Sequence, residues 1–586
     1  MSHTKIDPFT LDIVKDSLIA IGDEMFVALQ RTAMSPIIYE VLDYASGLTD
    51  SKGQLLTQGN GVTGFIGMLA PMVQETLKKF GDSNNLKPGD IILINDPYEG
   101  GGSHLSDVGL VMPIFYEDEL VAFSANKAHW TEVGGKDAGS MSTDSTDIYQ
   151  EGLQFPCVKL FEGGKLNQSV VDIIAANVRF PDLSLGDMWA QVAALKTGGR
   201  RFEELCDKYG KDTVLNSIEH LLDHGEKMTL KALKELPKGT YEAVDYIDDD
   251  GIEEGPFKVQ VKVTITDEQF IVDFTGSHPQ VTGSINSSFT GLTSAVKTIF
   301  LAVTSPSQDV NDGAFRRLKI IAEDGLIFSA VRPVPVSMYW ESMLFGLDLI
   351  WKALSPVVPH RLSAGQFLSV CTVVLAGNHQ DTDEPFLIVE PSVGGWGATD
   401  NRDGATGQFC ILDGETYNIP VEICETRNGV LVDEYRINTD GAGAGEYRGG
   451  MGVVRSYRAL TDGQLLTASF GRHKFNVWGA NGGKDGSTNK FEIVKTNGEV
   501  DGPFGRYNTY PLNKNDVARL ITATGGGYGD PLNRPVEKVL MDVKNEYITI
   551  EQAKEDYGVI IDANTLTVEG ITSEREGKEH RVYNDE

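Results

Sequence analysis

The sequence predicts an α+β protein of several domains, with mixed sheets joined at glycine-rich junctions and helices at the periphery. Three observations lead there. The chain has 586 residues, too many for one core. Its apolar residues switch repeatedly between helical spacing and strand-like runs. Its 64 glycines, about one residue in nine against a usual ~7%, cluster at Gly100–Gly102, Gly394–Gly397, Gly441–Gly445, Gly449–Gly452 and Gly525–Gly529, where chain segments turn or approach closely.

In chain order, Pro8 and Thr10 open a helix whose Leu11, Val14, Leu18, Ile21, Met25 and Leu29 form one stripe, ending before Pro36. Strand-like runs follow at 37–44 and 47–57, the latter turning at Asp50–Gly53. A helix is predicted over 68–80, and the turn Lys87–Asp90 leads into a strand over 91–95. Helices are predicted over 170–179 and 185–205; the charged and amide groups of Asp187 and Gln191 in the second could point into a site, with a solvated helix face as the default expectation. His220 and His224 stand four apart on a helix over 215–230. Without the glutamate of a zinc-protease motif, they read as part of a solvent-facing helix with Glu219, Asp223 and Glu226. Leu236–Gly239 marks a boundary, beyond which strands are predicted at 241–245, 257–266 and 269–275, and helices at 294–304 and 338–354. Glycine-punctuated strands follow at 412–420, 429–438, 452–458 and 465–472, then one helix to about residue 555 and a strand-like end. The division is 1–236, an α/β domain carrying the candidate metal site; 237–386, an α+β domain; and 387–586, a glycine-rich β domain with a helical tail.

Acids outnumber bases by 84 to 51, a net charge of −33. That excess disfavours nucleic acid and anionic membranes as partners. The first residues contain no apolar leader, and no apolar run approaches the ~18 residues of a membrane span, so a cytoplasmic location is expected. The five cysteines form no C-x-x-C pair and suit a reducing compartment. No P-loop, dinucleotide fingerprint or G-x-S-x-G elbow is present, which leaves metal chemistry as the most visible catalytic resource.

That resource lies between Asn95 and Gly135. Val108–Phe115 and Leu120–Ala125 are β-rich runs around the polar turn Tyr116–Glu119, a hairpin pattern. Pairing Asp107 with His129 centres the turn on Asp118, inside the polar segment. The two side chains would then face each other at the open end, with Cβ atoms about 5 Å apart. His104 enters the same end from a glycine-rich loop. Two imidazoles and a carboxylate suit zinc, manganese or iron; the alternative is that both histidines cap strand ends through loop backbone. Asp43, in an apolar stretch, requires a partner or a metal if buried.

Several stretches together resemble the hydantoinase B and oxoprolinase family: Asn95–Tyr98 with Gly100–Val108, Ala128–Gly135, Glu151–Leu153, Asp273–Gly276, Gly445–Gly450 and Gly525–Pro531. The resemblance spans nearly the whole chain. It implies a cytoplasmic subunit that works with a larger hydantoinase A-type partner, which binds ATP, in an α2β2 assembly. The implied metal ligands are Asp43, His104, Asp107 and His129, with zinc foremost. The implied reaction is cleavage of a cyclic amide such as a hydantoin, oxoproline or a lactam, through an amide phosphorylated on the partner and attacked by metal-activated water. His104 and His129 would serve catalysis through the metal, and Glu132 is a candidate general base or orienter. Two features depart from the family pattern: Ser103-His-Leu-Ser-Asp107 replaces Thr-His-Leu-Pro-Asp, and His129–Glu132 lacks a His-His pair. The second keeps a ketone carboxylase role as an alternative, and a noncatalytic scaffold is a third.

Overall fold

The computed structural model describes residues 6–576 apart from 60, 82–84 and 307–309; the leader reading of residues 1–5 lies outside these. Helix α1 (Pro8–Thr32) starts on an Asp7 cap whose carboxylate accepts from the Thr10 N–H at 3.1 Å, with Pro8 pre-set for the first turn. Val14, Leu18, Ile21, Met25 and Leu29 of the predicted stripe are buried. The strand expected over 37–44 is instead a short helix α2 (Pro36–Tyr39). Pro36 fixes a helical φ, and the Glu40 N–H donates to Pro36 O at 2.9 Å to close the turn. Leu42, at φ +66°, then redirects the chain.

Strand β1 (Tyr44–Asp50) follows, with β2 (Leu55–Gln58) after the predicted turn. Then come α3 (Leu69–Phe80), β3 (Ile91–Ile94), β4 (Asp107–Tyr116), β5 (Glu119–His129), β6 (Val158–Glu162) and β7 (Lys165–Leu166). These strands form one antiparallel sheet in the order β2-β1-β5-β4-β3-β6-β7. The predicted hairpin register holds from Asp107↔His129 to Ile114↔Ala122, and a bulge at Ile114/Phe115 absorbs the odd residue near the turn. Alternation splits β3 between two cores: Ile92 and Ile94 pack with α3, Ile91 and Leu93 with the main core.

Helices α4 (Gln168–Asn177), α5 (Pro181–Tyr209) and α6 (Lys211–Glu235) come next, with α5 packed on α1, β4 and β5. Asp187 and Gln191 of α5 are buried rather than solvated. Asp187 accepts from the Met34 and Ser35 N–H groups at 2.8 and 3.1 Å. Gln191 accepts from the Trp130 indole at 2.7 Å and donates to Val108 O at 2.9 Å. Asp187 ties the helix to the turn between α1 and α2, and Gln191 ties it to the sheet, needs that helical periodicity does not reveal. Asp223 and Glu226 on α6 pair with Arg316.

Beyond the predicted boundary, β8 (Gly239–Ile247), β9 (Phe257–Ile265), β10 (Phe270–Asp273) and β11 (Leu318–Ile321) form a second sheet in the order β11-β10-β9-β8. Helices α7 (Phe289–Thr304) and α8 (Trp340–Leu354) pack together, and α8 also lies on β8 and β9. In α8 every residue but Lys352 is buried, as expected of a helix apolar around its circumference.

The remaining elements are β12 (Thr372–Asn378), β13 (Pro385–Glu390), α9 (Val421–Arg427), β14 (Val430–Asn438), β15 (Gly452–Ala459), β16 (Gln464–Ser469), β17 (Lys490–Val494), β18 (Val500–Phe504), β19 (Arg506–Leu512) and β20 (Val517–Ile521). They make two sheets, β13-β12-β16-β19 and β14-β15-β20-β17-β18. The glycine clusters let backbones touch: a Cβ on Gly525 would stand 2.0 Å from Trp396 O. Residues 412–420, expected as a strand, form a loop, because Gly414 turns at φ +61° and the backbone bonds instead to Val41, Gly61 and Gly64. The tail has two helices where one was expected, α10 (Val536–Lys544) and α11 (Ile550–Glu555), before β21 (Val559–Ile561) and β22 (Val568–Ile571). A capping box of Thr549 and Gln552 starts the second helix. Among the described residues no helix is long and apolar enough to cross a membrane.

Candidate metal centre

The ends of β4 and β5 carry the site. Asp107 and His129 are directly paired, and the His129 N–H donates to Asp43 O at 3.0 Å, anchoring the strand end. His104 arrives through Gly101, whose φ is +72° and where a Cβ would lie 2.6 Å from the Met72 nitrogen. Only glycine passes there. The His104 and His129 rings are 5.1 Å apart and tilted by 51°. Ligand-capable atoms of His104, Asp107 and His129 lie within 4.8 Å of one another, and all three residues are buried.

Hydrogen bonds fix the state of each group. The Nδ1 of His104 faces Ser337 O at 3.0 Å; a carbonyl only accepts, so Nδ1 carries the proton. Nε2 then presents a lone pair 3.1 Å from Oδ1 of Asp107. Two acceptors that close require a proton or a cation between them. The other Asp107 oxygen is occupied, accepting from the Tyr339 hydroxyl at 3.1 Å and from Ser103. His129 has both ring nitrogens buried without a hydrogen-bond partner, an arrangement that costs free energy unless something fills it. Burial and the neighbouring His104 lower its pKa to about 3, so its imidazole stays neutral and ligand-capable. Burial opposes ionisation of Asp107, but a proton or cation shared with the facing His104 nitrogen, together with the Lys127 ammonium, outweighs it and holds the carboxyl well below its usual range. Two imidazole nitrogens and a carboxylate, underused by the protein itself, fit a divalent ion.

Asp43 lines the same cavity of about 60 Å³ but stands outside the tight group of three. Burial, then repulsion from Asp107 and Asp413, raises its pKa well above the usual range. Glu132 is not brought to the cavity: it is fully buried elsewhere, its Oε1 accepting from the Arg179 backbone and guanidinium at 2.9 and 2.8 Å. His220 and His224 join no potential metal group among the described residues.

Four participants have no role in the sequence reading. Lys127, two residues before His129 on β5, is fully buried; its ammonium donates to Gly101 O at 3.1 Å, and burial lowers its pKa to about 8 against the pull of Asp107 and Asp43. Its i, i+2 spacing from His129 is the one local signal. Glu151 accepts from the N–H groups of Val336 and Ser337 at 3.0 and 2.9 Å, fixing the carbonyl that orients His104. Tyr339 and Asp413 come from distant segments and carry no local signal.

A family model described as Hydantoinase B/oxoprolinase matches residues 7–531. The B-type chain of a putative D-/L-hydantoinase from Pseudomonas sp. (strain NS671) is 35% identical over 95% of this chain and 96% of its own. The beta chain of the caprolactamase of Pseudomonas jessenii is 31% identical over 97% and 98%. The crystal structure of the ATP-dependent caprolactamase from the same organism superposes with a TM-score of 0.88, at 28% identity over 96% of this chain and 98% of that one. Matched in sequence and architecture along almost all its length, the chain belongs to the hydantoinase B/oxoprolinase family.

Proposed function

We propose that the chain is the hydrolytic subunit of an ATP-dependent cyclic amide hydrolase, and that His104, Asp107 and His129, with Asp43, hold a divalent metal, zinc before manganese or iron. A hydantoinase A-type partner in an α2β2 assembly would bind ATP and phosphorylate the amide oxygen. The observation that carries this reading is the buried His129 imidazole, both nitrogens without a partner, beside the His104 Nε2 that faces Asp107 Oδ1 at 3.1 Å. The names of the hydantoinase and caprolactamase relatives supply the substrate class.

A bound ion would supply Lewis acidity and lower the pKa of water from ~15.7 toward ~7. The chain's own residues set the stage. Ser337 holds the His104 tautomer, Tyr339 and Ser103 hold Asp107, and Phe65, Trp340, Met343 and Leu412 exclude bulk water from the cavity. The cavity of about 60 Å³ has room for a few waters but is below the ~150 Å³ that accommodates a benzene ring, so admitting a cyclic amide requires its wall to move. Glu132, paired with Arg179 ahead of α5, serves the fold in this reading.

The test is to purify the chain with its partner, measure bound metal, and screen lactams and hydantoins for stimulated ATP turnover, with and without labelled bicarbonate. Stoichiometric metal and bicarbonate-independent ring opening are expected. A metal-free active complex, or label in the product, overturns the proposal.

A further inference from the structure

Part of the cavity wall comes from a loop far along the chain, residues 410–417. It is fastened to the segment before α3. The Gly64 N–H donates to Leu412 O at 2.7 Å, the Glu415 N–H to Gly61 O at 3.2 Å, and the Tyr417 N–H to Val41 O at 3.1 Å; the Thr63 hydroxyl donates to Ile411 O at 2.5 Å. Gly414 permits this approach, since a Cβ there would stand 2.2 Å from Gly61 O. Leu412, Asp413 and Thr416 thereby line the same cavity as His104, Asp107 and His129.

The Asp413 N–H donates to Cys410 O at 3.0 Å, which fixes the turn, and its Oδ2 is buried with no partner. The other carboxylates of the wall are committed. Asp107 faces His104 with one oxygen and accepts from Tyr339 and Ser103 with the other. Glu390 pairs with Arg455 at 3.0 Å, accepts from Tyr457, and takes the Ile419 N–H at 3.0 Å. Asp43 belongs to the proposed ligand set. Asp413 does not join the group whose ligand atoms lie within 4.8 Å of one another. Among the described cavity carboxylates it alone keeps an oxygen to spare without being a proposed ligand, the arrangement of a base that works across a water molecule.

We propose that Asp413 is a catalytic residue whose Oδ2 accepts protons from the water that opens the ring. This rests on the hydrolase reading above. The substrate is an O-phosphorylated cyclic amide, in which the ring carbon is doubly bonded to nitrogen. The water oxygen bonds to that carbon as Asp413 takes one proton, the C=N electron pair moves to nitrogen, and nitrogen receives the proton. The new hydroxyl then gives up its proton by the same route as the C–N bond breaks. Both protons of the water end on nitrogen, which becomes a primary amine, and its oxygen becomes the carbonyl of an acyl phosphate. A second water converts that to a carboxylate and inorganic phosphate.

The test compares wild type, D413N and D413A, each purified in complex with the partner and assayed for bound metal and ring opening with and without formate. D413N is expected to keep its full metal content and to lose at least ~100-fold in turnover. Formate, a small carboxylate that fits the vacated space, is expected to restore turnover to D413A but not to D413N. Wild-type turnover in D413N, loss of metal in D413N, or a D413A complex that holds metal but is not rescued would each overturn the assignment. A wild-type complex that opens no cyclic amide removes the hydrolase reading itself and Asp413 with it; an active wild type beside an unimpaired D413N removes Asp413 alone.

Discussion

His104 and Asp107, three residues apart, hold Nε2 and Oδ1 3.1 Å from each other while the opposite ring nitrogen is committed to Ser337 O. The carbonyl accepts the hydrogen bond of the Nδ1 proton, so the 3.1 Å between Nε2 and Oδ1 is a place for one further proton or one cation. His129 adds a further nitrogen that no protein group uses. The site is thus defined by unsatisfied valence as much as by proximity.

Removing His129 tests that definition directly. His129→Ala should lower metal affinity by more than the ~10–100-fold typical of changes one shell further out, read as metal retained after dialysis against a weak chelator. Full metal retention would remove His129 from the ligand set.

Tyr339→Phe removes one of two donors to Asp107 Oδ2 and leaves Ser103 in place. The expected cost is about 1 kcal/mol of stability and a ~10–100-fold fall in metal affinity. Denaturant unfolding and metal titration measure the two separately, and an unchanged metal affinity would show that the hydroxyl does not orient the carboxylate.

Stability should depend on Glu151 in one pH window. Burial outweighs the Val336 and Ser337 N–H groups and pushes its pKa up to about 8, while an unfolded glutamate titrates near ~4.3. Between those values the unfolded chain releases a proton that the folded chain keeps, so this group's contribution falls as pH rises through the window and is level above it. Glu151→Gln retains an amide oxygen for both N–H groups and cannot ionise. Its melting temperature relative to wild type should therefore rise between about pH 5 and about pH 8.5; a constant offset would contradict the shift.

Glu132 should behave as an anchor. Glu132→Gln is expected to lose less than tenfold in turnover, well short of the ~10²–10⁴ attributed to a general base. Arg179→Ala leaves a buried carboxylate with one backbone donor and should cost about 1–3 kcal/mol in denaturant unfolding. A hundredfold loss of turnover in Glu132→Gln at full metal content would return Glu132 to the chemistry.

Much of the fold was legible because its signals are short-range. The α1 stripe, the 50–53 turn and the hairpin register all follow from spacing within about twenty residues. The register was readable at its open end because the short polar turn Tyr116–Glu119 sets the pairing of the two strands it joins; only the bulge at Ile114/Phe115 escaped. The failures are equally specific. A proline-led helical turn replaced the strand at 37–44, since two buried isoleucines suit either conformation. The run 412–420 looked like a strand, but its hydrogen bonds go to residues 41–64, a destination that no local pattern records.

By itself the sequence determined the α+β class, the family, and the hairpin that sets Asp107 against His129, because turn chemistry and alternation act between neighbours. The tertiary structure decided everything that converges on them: Ser337 on His104, Tyr339 on Asp107, Asp413 in the cavity wall, and Glu132 drawn away to Arg179. These placements depend on burial between segments from 47 to more than 200 residues apart, and burial is a property of the packed chain.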